Sequence, residues 1–406
     1  MRSTAVSHAV TPANPPAAEF IPYGRQSISD ADIQAVVDVL RSPFLTQGPL
    51  GERFEEAIAG YCGAQYGVAV NSATSALHIA CLALGVGPGE QVWTTPVTFV
   101  ASANCALYCG AAIDFVDIDP ATGNIDPQAL HARLRQAQSQ GSLPRAVIAV
   151  HLAGLSCEMK TLHRLCRDFG VALIEDASHA IGARYDGAPV GSCRYSDITV
   201  FSFHPVKIIT TGEGGMALTN KPELAKKMTL LRSHHITRDA ADMTHEPDGP
   251  WYYQQTGLGF NYRMTDIQAA LGLSQHSRID EFVARRNVLA RRYHRELAAL
   301  PLTLPCIAGD SEQSRSALHL YVVRLQDDDS GRHRRVFEAL RARGIGVNLH
   351  YIPVHLQPYF RQMGFAPGDF PHAERYYRQA ISLPLYPGLT EELQDRVIAA
   401  LAEVLI

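Results

Sequence analysis

The sequence predicts an α/β protein with a largely parallel sheet wrapped by helices and a smaller α/β unit at its C-terminal end. Three observations carry this expectation. From Val68 onward, short β-branched runs alternate with stretches of helical periodicity, the rhythm of a parallel sheet closed through crossover helices. The 406 residues, with 46% apolar content and 19% charge, suffice for two domains around a large core. After Ile279 the rhythm changes to a long helix followed by strand, helix, strand and helix.

Residues 1–20 contain Pro12, Pro15 and Pro16 among Ala and Ser and show no periodicity, so a mobile tail is expected there. Ser29 with Asp32 forms a capping-box pattern, and Ile33, Val36, Val37 and Leu40 follow at helical spacing. Phe44 to Pro49 reads as a loop, and Phe54, Ile58 and Tyr61 mark a second amphipathic helix. The alternation then runs Val68–Val70 and Thr74–Leu84, Gln91–Thr94 and Phe99–Tyr108, Ile113–Val116 and Pro127–Ala137, Val147–Val150 and Met159–Phe169. It continues with Val171–Ile174, which leads into Glu175-Asp176. Ligands of such sheets bind outside the carboxyl ends of the strands, so Asn71 to Ser75, Thr95 to Phe99, His151 and Asp176 should line one crevice. The later helix Ile279–Leu300, strand Leu318–Leu325, helix Arg332–Arg343, strand Val347–His350 and helix Glu391–Leu405 divide the chain into a large domain at 21–275 and a small one at 276–406.

The formal net charge of -4, with both signs mixed along the chain, gives no basic patch for nucleic acid. The eight cysteines lie in apolar segments without a C-x-x-C pair, and no apolar run or leader pattern points to a membrane. Reduced core cysteines in a cytoplasmic protein are therefore expected, with small molecules and copies of the chain as partners. His234, His235, His245, His350 and His355 supply metal-ligand types but lack carboxylate or thiol partners at familiar spacing, so no metal site is expected.

One stretch concentrates the chemistry. Ile198 to Thr219 reads ITVFSFHPVKIITTGEGGMALT, in which a β-rich run delivers Lys207 into a turn with Gly212, Gly214 and Gly215. Burial lowers an amine's pKa and frees the nucleophile, which suits Schiff-base chemistry; the plain alternative is a lysine that snorkels at a strand end. Asn71-Ser72-Ala73-Thr74-Ser75 joins a strand to a helix and offers an anion site, or an ordinary cap. Asp176 at a strand end can keep a ring nitrogen protonated, and Phe99 can stack on an aromatic cofactor, although a helix cap and plain core are their simpler readings.

Taken together, NSATSAL at 71–77, TTPVTFVASAN at 94–104, IEDASHAIGA at 174–183, FSFHPVKIITTGEGGM at 201–216 and GFNYRMTDIQAALG at 259–272 resemble the DegT/DnrJ/StrS sugar aminotransferases. The resemblance runs from residue 21 to 406. It implies fold type I of the enzymes that use pyridoxal 5′-phosphate (PLP), with a mostly parallel seven-stranded sheet in the large domain. It further implies that Lys207 forms the internal aldimine, that Asp176 pairs with the pyridine nitrogen and that Phe99 stacks on the ring. Ser202, Thr74 and the backbone from Ala73 to Ser75 would hold the phosphate, joined by Asn261 from the other subunit of a homodimer. His179, where many members carry glutamine, would sit near the phenolic oxygen, and Arg232 matches a family position without a clear role. IPYGRQSISDADI, FLTQGP, SFHPVK and GVNLHYIPVHLQPYF are most similar to members that act on a UDP-linked 4-keto sugar with L-glutamate as amino donor. An aminotransferase for another keto nucleotide sugar, dTDP-linked or reacting at carbon 3, would carry the same cofactor residues. A dehydrase of the same fold would have histidine in place of Lys207, and a silent PLP-binding protein would lack Lys207 or Asp176.

Overall fold

The computed structural model describes residues 20–307 and 313–405, so the expected tail lies, except for Phe20, outside the described residues. Helix α1 (Asp30–Leu40) begins with the anticipated box: Ser29 Oγ accepts from the Asp32 amide, and the Asp32 carboxylate accepts from the Ser29 amide. Asp32 is fully buried and also takes hydrogen bonds from Ser274, Gln275 and Arg278, so the same side chain that starts α1 fastens it to a later helix. Helix α2 (Leu50–Cys62) puts Phe54, Ile58 and Cys62 into the core and ends at Gly63, whose φ of 76° closes it in the left-handed region.

The central sheet has seven strands: β1 (Tyr66–Val70), β2 (Gln91–Thr94), β3 (Ala112–Phe115), β4 (Ala146–Val150), β5 (Ala172–Asp176), β6 (Ile198–Ser202) and β7 (Gly215–Thr219). Their spatial order is β1-β7-β6-β5-β4-β2-β3; β7 runs antiparallel to both neighbours and the other pairs are parallel. The crossovers are α3 (Ala73–Ala83), α4 (Ala101–Tyr108), α5 (Pro127–Gln140) and α6 (Met159–Phe169). Strands β4, β6 and β7 are buried along their whole length, which is why they read as unbroken apolar runs. Helices α7 (Pro222–Arg232), α8 (Asp266–His276) and α9 (Ile279–Leu297) follow.

Beyond α9 a three-stranded antiparallel sheet of Leu302–Thr303, Tyr321–Leu325 and Ala380–Leu383 packs with Leu289, Tyr293, Leu340, Val397 and Leu401 into a second apolar core. Arg286 of α9 is buried, and its Nη1 donates to the carbonyls of Leu318, His319 and Leu385; burial lowers its pKa to about 10. Two expectations need correction here. Val347–His350 is not a strand: it makes a single bridge, Asn348 to Ser382, and then turns toward the central sheet. Seven cysteines are buried and free, but Cys306 is exposed, because it lies in an irregular segment between the two short strands rather than in a packed element.

Candidate active site

A cavity of about 860 Å³ opens at the carboxyl ends of β5 and β6, where a parallel sheet presents its ligand crevice. Asn71 to Ser75, Thr98, Phe99 and Asp176 line it, as expected, but Thr95, Pro96 and Val97, expected with them, are buried and do not. His151 does not. Successive side chains of a strand point to opposite faces, so Glu175 turns away from Asp176, and His151 Nε2 lies 2.8 Å from Glu175 on that other side.

Lys207 reaches the cavity from the turn that follows β6, where its backbone N–H donates to the His204 carbonyl at 2.9 Å. Burial lowers its pKa to about 8, partly offset by the Asp176 carboxylate, so roughly a tenth of it is the free amine at pH 7, far more than for an ordinary lysine. Asp176 ends β5 and is 5% exposed. Its Oδ2 accepts from Ser102 Oγ of α4 at 2.6 Å, and its Oδ1 accepts from the amide of Ser178 at 3.1 Å and from its hydroxyl. Phe99 is 58% exposed, and it lines the cavity.

The anion site is built by the start of α3. Ser72 caps the helix by accepting from the Ser75 amide at 3.1 Å, and Ser75 Oγ donates to Asn71 Oδ1 at 2.7 Å. The amides of Ala73 and Thr74, ahead of the helix ladder and both lining the cavity, are thereby left for an anion. Ser202 closes the same corner. Gly215 backs it: a Cβ there would sit 2.5 Å from the Ala73 nitrogen, so the glycine serves close backbone approach.

His179 lies under the cavity with both ring nitrogens engaged. Its Nδ1 accepts from the Ala153 amide at 3.2 Å, and its Nε2 lies 3.1 Å from the Tyr351 hydroxyl. The His319 ring is 4.5 Å away, and its Nδ1 is buried without a hydrogen-bond partner. Burial and the nearby positive charge of Lys207 hold His179 and His319 far below the usual imidazole pKa and bring His350 down to about 3, so all three are neutral at physiological pH. Tyr23, His319, His350 and Tyr351 line the cavity; Tyr23, His350 and Tyr351 stand in the subgroup motifs without an assigned role, and His319 lies outside every motif.

Asn261 is not brought into this cavity. Its side chain is exposed, and its backbone oxygen lies 3.5 Å from Asn71 Nδ2. Arg232 is a structural clasp: it pairs with Glu55 and donates to the Ala69 carbonyl at 2.8 Å, joining α2 to β1. Among the described residues no group of His, Cys, Asp or Glu is arranged to hold a metal ion, and no helix is long and apolar enough to cross a membrane.

An amine with a lowered pKa, a fixed carboxylate, an uncovered aromatic ring and a helix N-terminus around one crevice fit PLP group by group, and define a PLP-dependent sugar aminotransferase when joined to the comparisons. The model of the DegT/DnrJ/EryC1/StrS aminotransferase family matches residues 26–402, and the chain belongs to that family. It is 39% identical over 389 residues to the spore coat polysaccharide biosynthesis protein SpsC of Bacillus subtilis, covering 95% of this chain and 97% of SpsC. Its structure is similar to that of Helicobacter pylori PseC, an aminotransferase of pseudaminic acid biosynthesis, with a TM-score of 0.86, 31% identity and coverage of 95% and 99% of the two chains. S. venezuelae DesV is similar at a TM-score of 0.80 and 32% identity, covering 94% of this chain and 98% of DesV.

Proposed function

We propose that this chain moves the amino group of L-glutamate to the 4-keto carbon of a UDP-2-acetamido-2,6-dideoxy-hexos-4-ulose, giving UDP-4-amino-4,6-dideoxy-N-acetyl-β-L-altrosamine. The observation that carries the substrate is the end-to-end likeness to PseC, an enzyme of pseudaminic acid biosynthesis, together with a cavity large enough for a nucleotide sugar. Bound PLP supplies an electron sink for the bond broken at the carbon next to nitrogen. Lys207 would hold PLP through its amine, and its Nζ would be the group that moves the proton at the donor's α carbon. Asp176, held by Ser102 and Ser178, keeps the pyridine nitrogen protonated. Phe99 covers one face of the ring, and Ser202, Thr74 and the amides from Ala73 to Ser75 bind the phosphate.

The active unit is a homodimer in which Asn261 reaches the phosphate of the partner's site; its exposure in the single chain supports this. The division at 276 into a large and a small domain is supported by the separate apolar core built after α9. A second reading, amination of another keto nucleotide sugar, is favoured by the higher identity to SpsC. Purified protein with PLP and L-glutamate should be offered UDP-linked and dTDP-linked sugars carrying a keto group at carbon 4 or carbon 3, and the products identified by mass spectrometry and NMR. Amination of the UDP-linked 4-keto sugar is the expected result. Turnover confined to dTDP sugars or to carbon 3 would replace the first reading by the second.

A further inference from the structure

The site residues named so far assign the cofactor's phenolic oxygen to His179. We propose instead that Tyr351 donates the hydrogen bond to that oxygen, with His179 as the positioning residue behind it. The direction of the hydrogen bonds requires this exchange. A backbone amide can only donate, so Ala153 N–H, 3.2 Å from His179 Nδ1, makes that nitrogen an acceptor and leaves the single ring proton of the neutral imidazole on Nε2. Nε2–H then points at Tyr351 Oη, 3.1 Å away, and the phenol oxygen is the acceptor in this pair. His179 has no proton left for a ligand. Tyr351 still has its own, and its ring lines the cavity 6.3 Å from that of Phe99.

The amide that sets this chain in motion is itself locked. Gly154, at φ 98°, lies so close to the His179 carbonyl and the Leu318 amide that a Cβ would be 2.8 Å from either, while the Gly154 carbonyl accepts from the Ala317 amide at 3.0 Å. Ala153 therefore cannot rotate its N–H away without breaking the seam to the segment that carries His319. The charged and titratable groups around the pair are Lys207 and His350 facing His179, His319 packed on its ring, and Asp176, Tyr23 and Tyr376 facing Tyr351. Burial and the Asp176 charge raise the Tyr351 pKa, so the phenol keeps the proton that it donates.

The inference rests on PLP being bound in this cavity, and its test separates the two. The PLP-loaded full-length protein, without substrates, is titrated with pH and the cofactor's absorbance followed. A donor on the phenolic oxygen favours its ionised form, so Tyr351→Phe should raise the midpoint of the absorbance change by about one to two pH units. His179→Ala, which only frees the phenol to turn, should raise it less, and the double variant should match Tyr351→Phe alone. A fluorinated tyrosine at position 351 keeps the shape, strengthens the donor and should lower the midpoint, which covers the case of a poorly folded Tyr351→Phe. An unchanged midpoint in the Tyr351 variants, or shifts of the two single variants that add in the double, would overturn the proposal. A wild-type protein with no cofactor band would instead sink the PLP site itself.

Discussion

Ser102 Oγ donates to Asp176 Oδ2 across 2.6 Å, so a hydroxyl on α4 aims the carboxylate at the end of β5. Thr98 Oγ1, 2.7 Å from Ser102 Oγ, extends the chain to the loop that carries Phe99. Asp176→Asn keeps the shape but not the charge, and turnover should fall at least about a hundredfold, because the lost contact matters most when negative charge develops on the ring. Ser102→Ala should cost roughly tenfold through a freer carboxylate. Steady-state rates on folded protein, checked by circular dichroism, decide both; near-normal turnover in Asp176→Asn would remove its role.

Lys207 should be the point of covalent attachment. Borohydride treatment of the PLP-loaded protein, followed by peptide mass mapping, should place the reduced adduct on Lys207, and Lys207→Ala should lose it. An adduct on another lysine would sink the assignment.

The pH dependence of that attachment follows from the lowered pKa. Only the free amine attacks the PLP aldehyde, and with a pKa of about 8 it is present above that value and withdrawn by protonation below it. Stopped-flow absorbance of PLP binding to the apo-protein should therefore show a rate that rises with pH and levels off past about 8. A rise centred near an ordinary lysine pKa would mean that burial does not act on this amine.

Gly215→Ala would push a methyl group against the Ser72 and Ala73 backbone. Destabilisation of about 1–3 kcal/mol is expected from the forced shift, with weaker PLP binding because the displaced amides are those that line the cavity. Thermal melts with and without PLP measure both effects, and a variant that melts and binds like the wild type would refute the close packing.

Much of this was legible in the sequence, for local reasons. Strands β2 and β5 and helices α3 to α6 announce themselves because their periodicity is that of a repeated crossover. Lys207, Asp176 and the Asn71–Ser75 turn stand at strand ends, where side-chain type alone narrows the chemistry. His319, His350 and Tyr351 were not found because what makes them matter is long-range. Val347–His350 has the composition of a strand, yet the Asn348–Ser382 bridge and the packing of Tyr376 on the His350 carbonyl turn it toward the cavity. His151 failed in the opposite sense: it stands at a strand end in sequence, but the alternation of β5 gives it to Glu175.

Asn261 tests the assembly. Mixing a Lys207→Ala protomer with an Asn261→Ala protomer should restore up to about a quarter of wild-type activity, since half of the random dimers are mixed and each holds one intact site. If Asn261 serves its own chain, every site in the mixed dimer stays damaged and no gain over the parents appears.

The two walls of the cavity come from different parts of the chain. Lys207, Asp176, Ser202 and the start of α3 belong to the central sheet, whereas Tyr23, His319, His350 and Tyr351 arrive from the first described segment and from the region beyond α9, which Arg286 ties together through backbone carbonyls. A lineage built this way can drift by halves. Substitutions in the second wall that spare Tyr351 leave Lys207, Asp176, Ser202 and the start of α3 where they are, so the space offered to a substrate can change while the cofactor's groups stay in place.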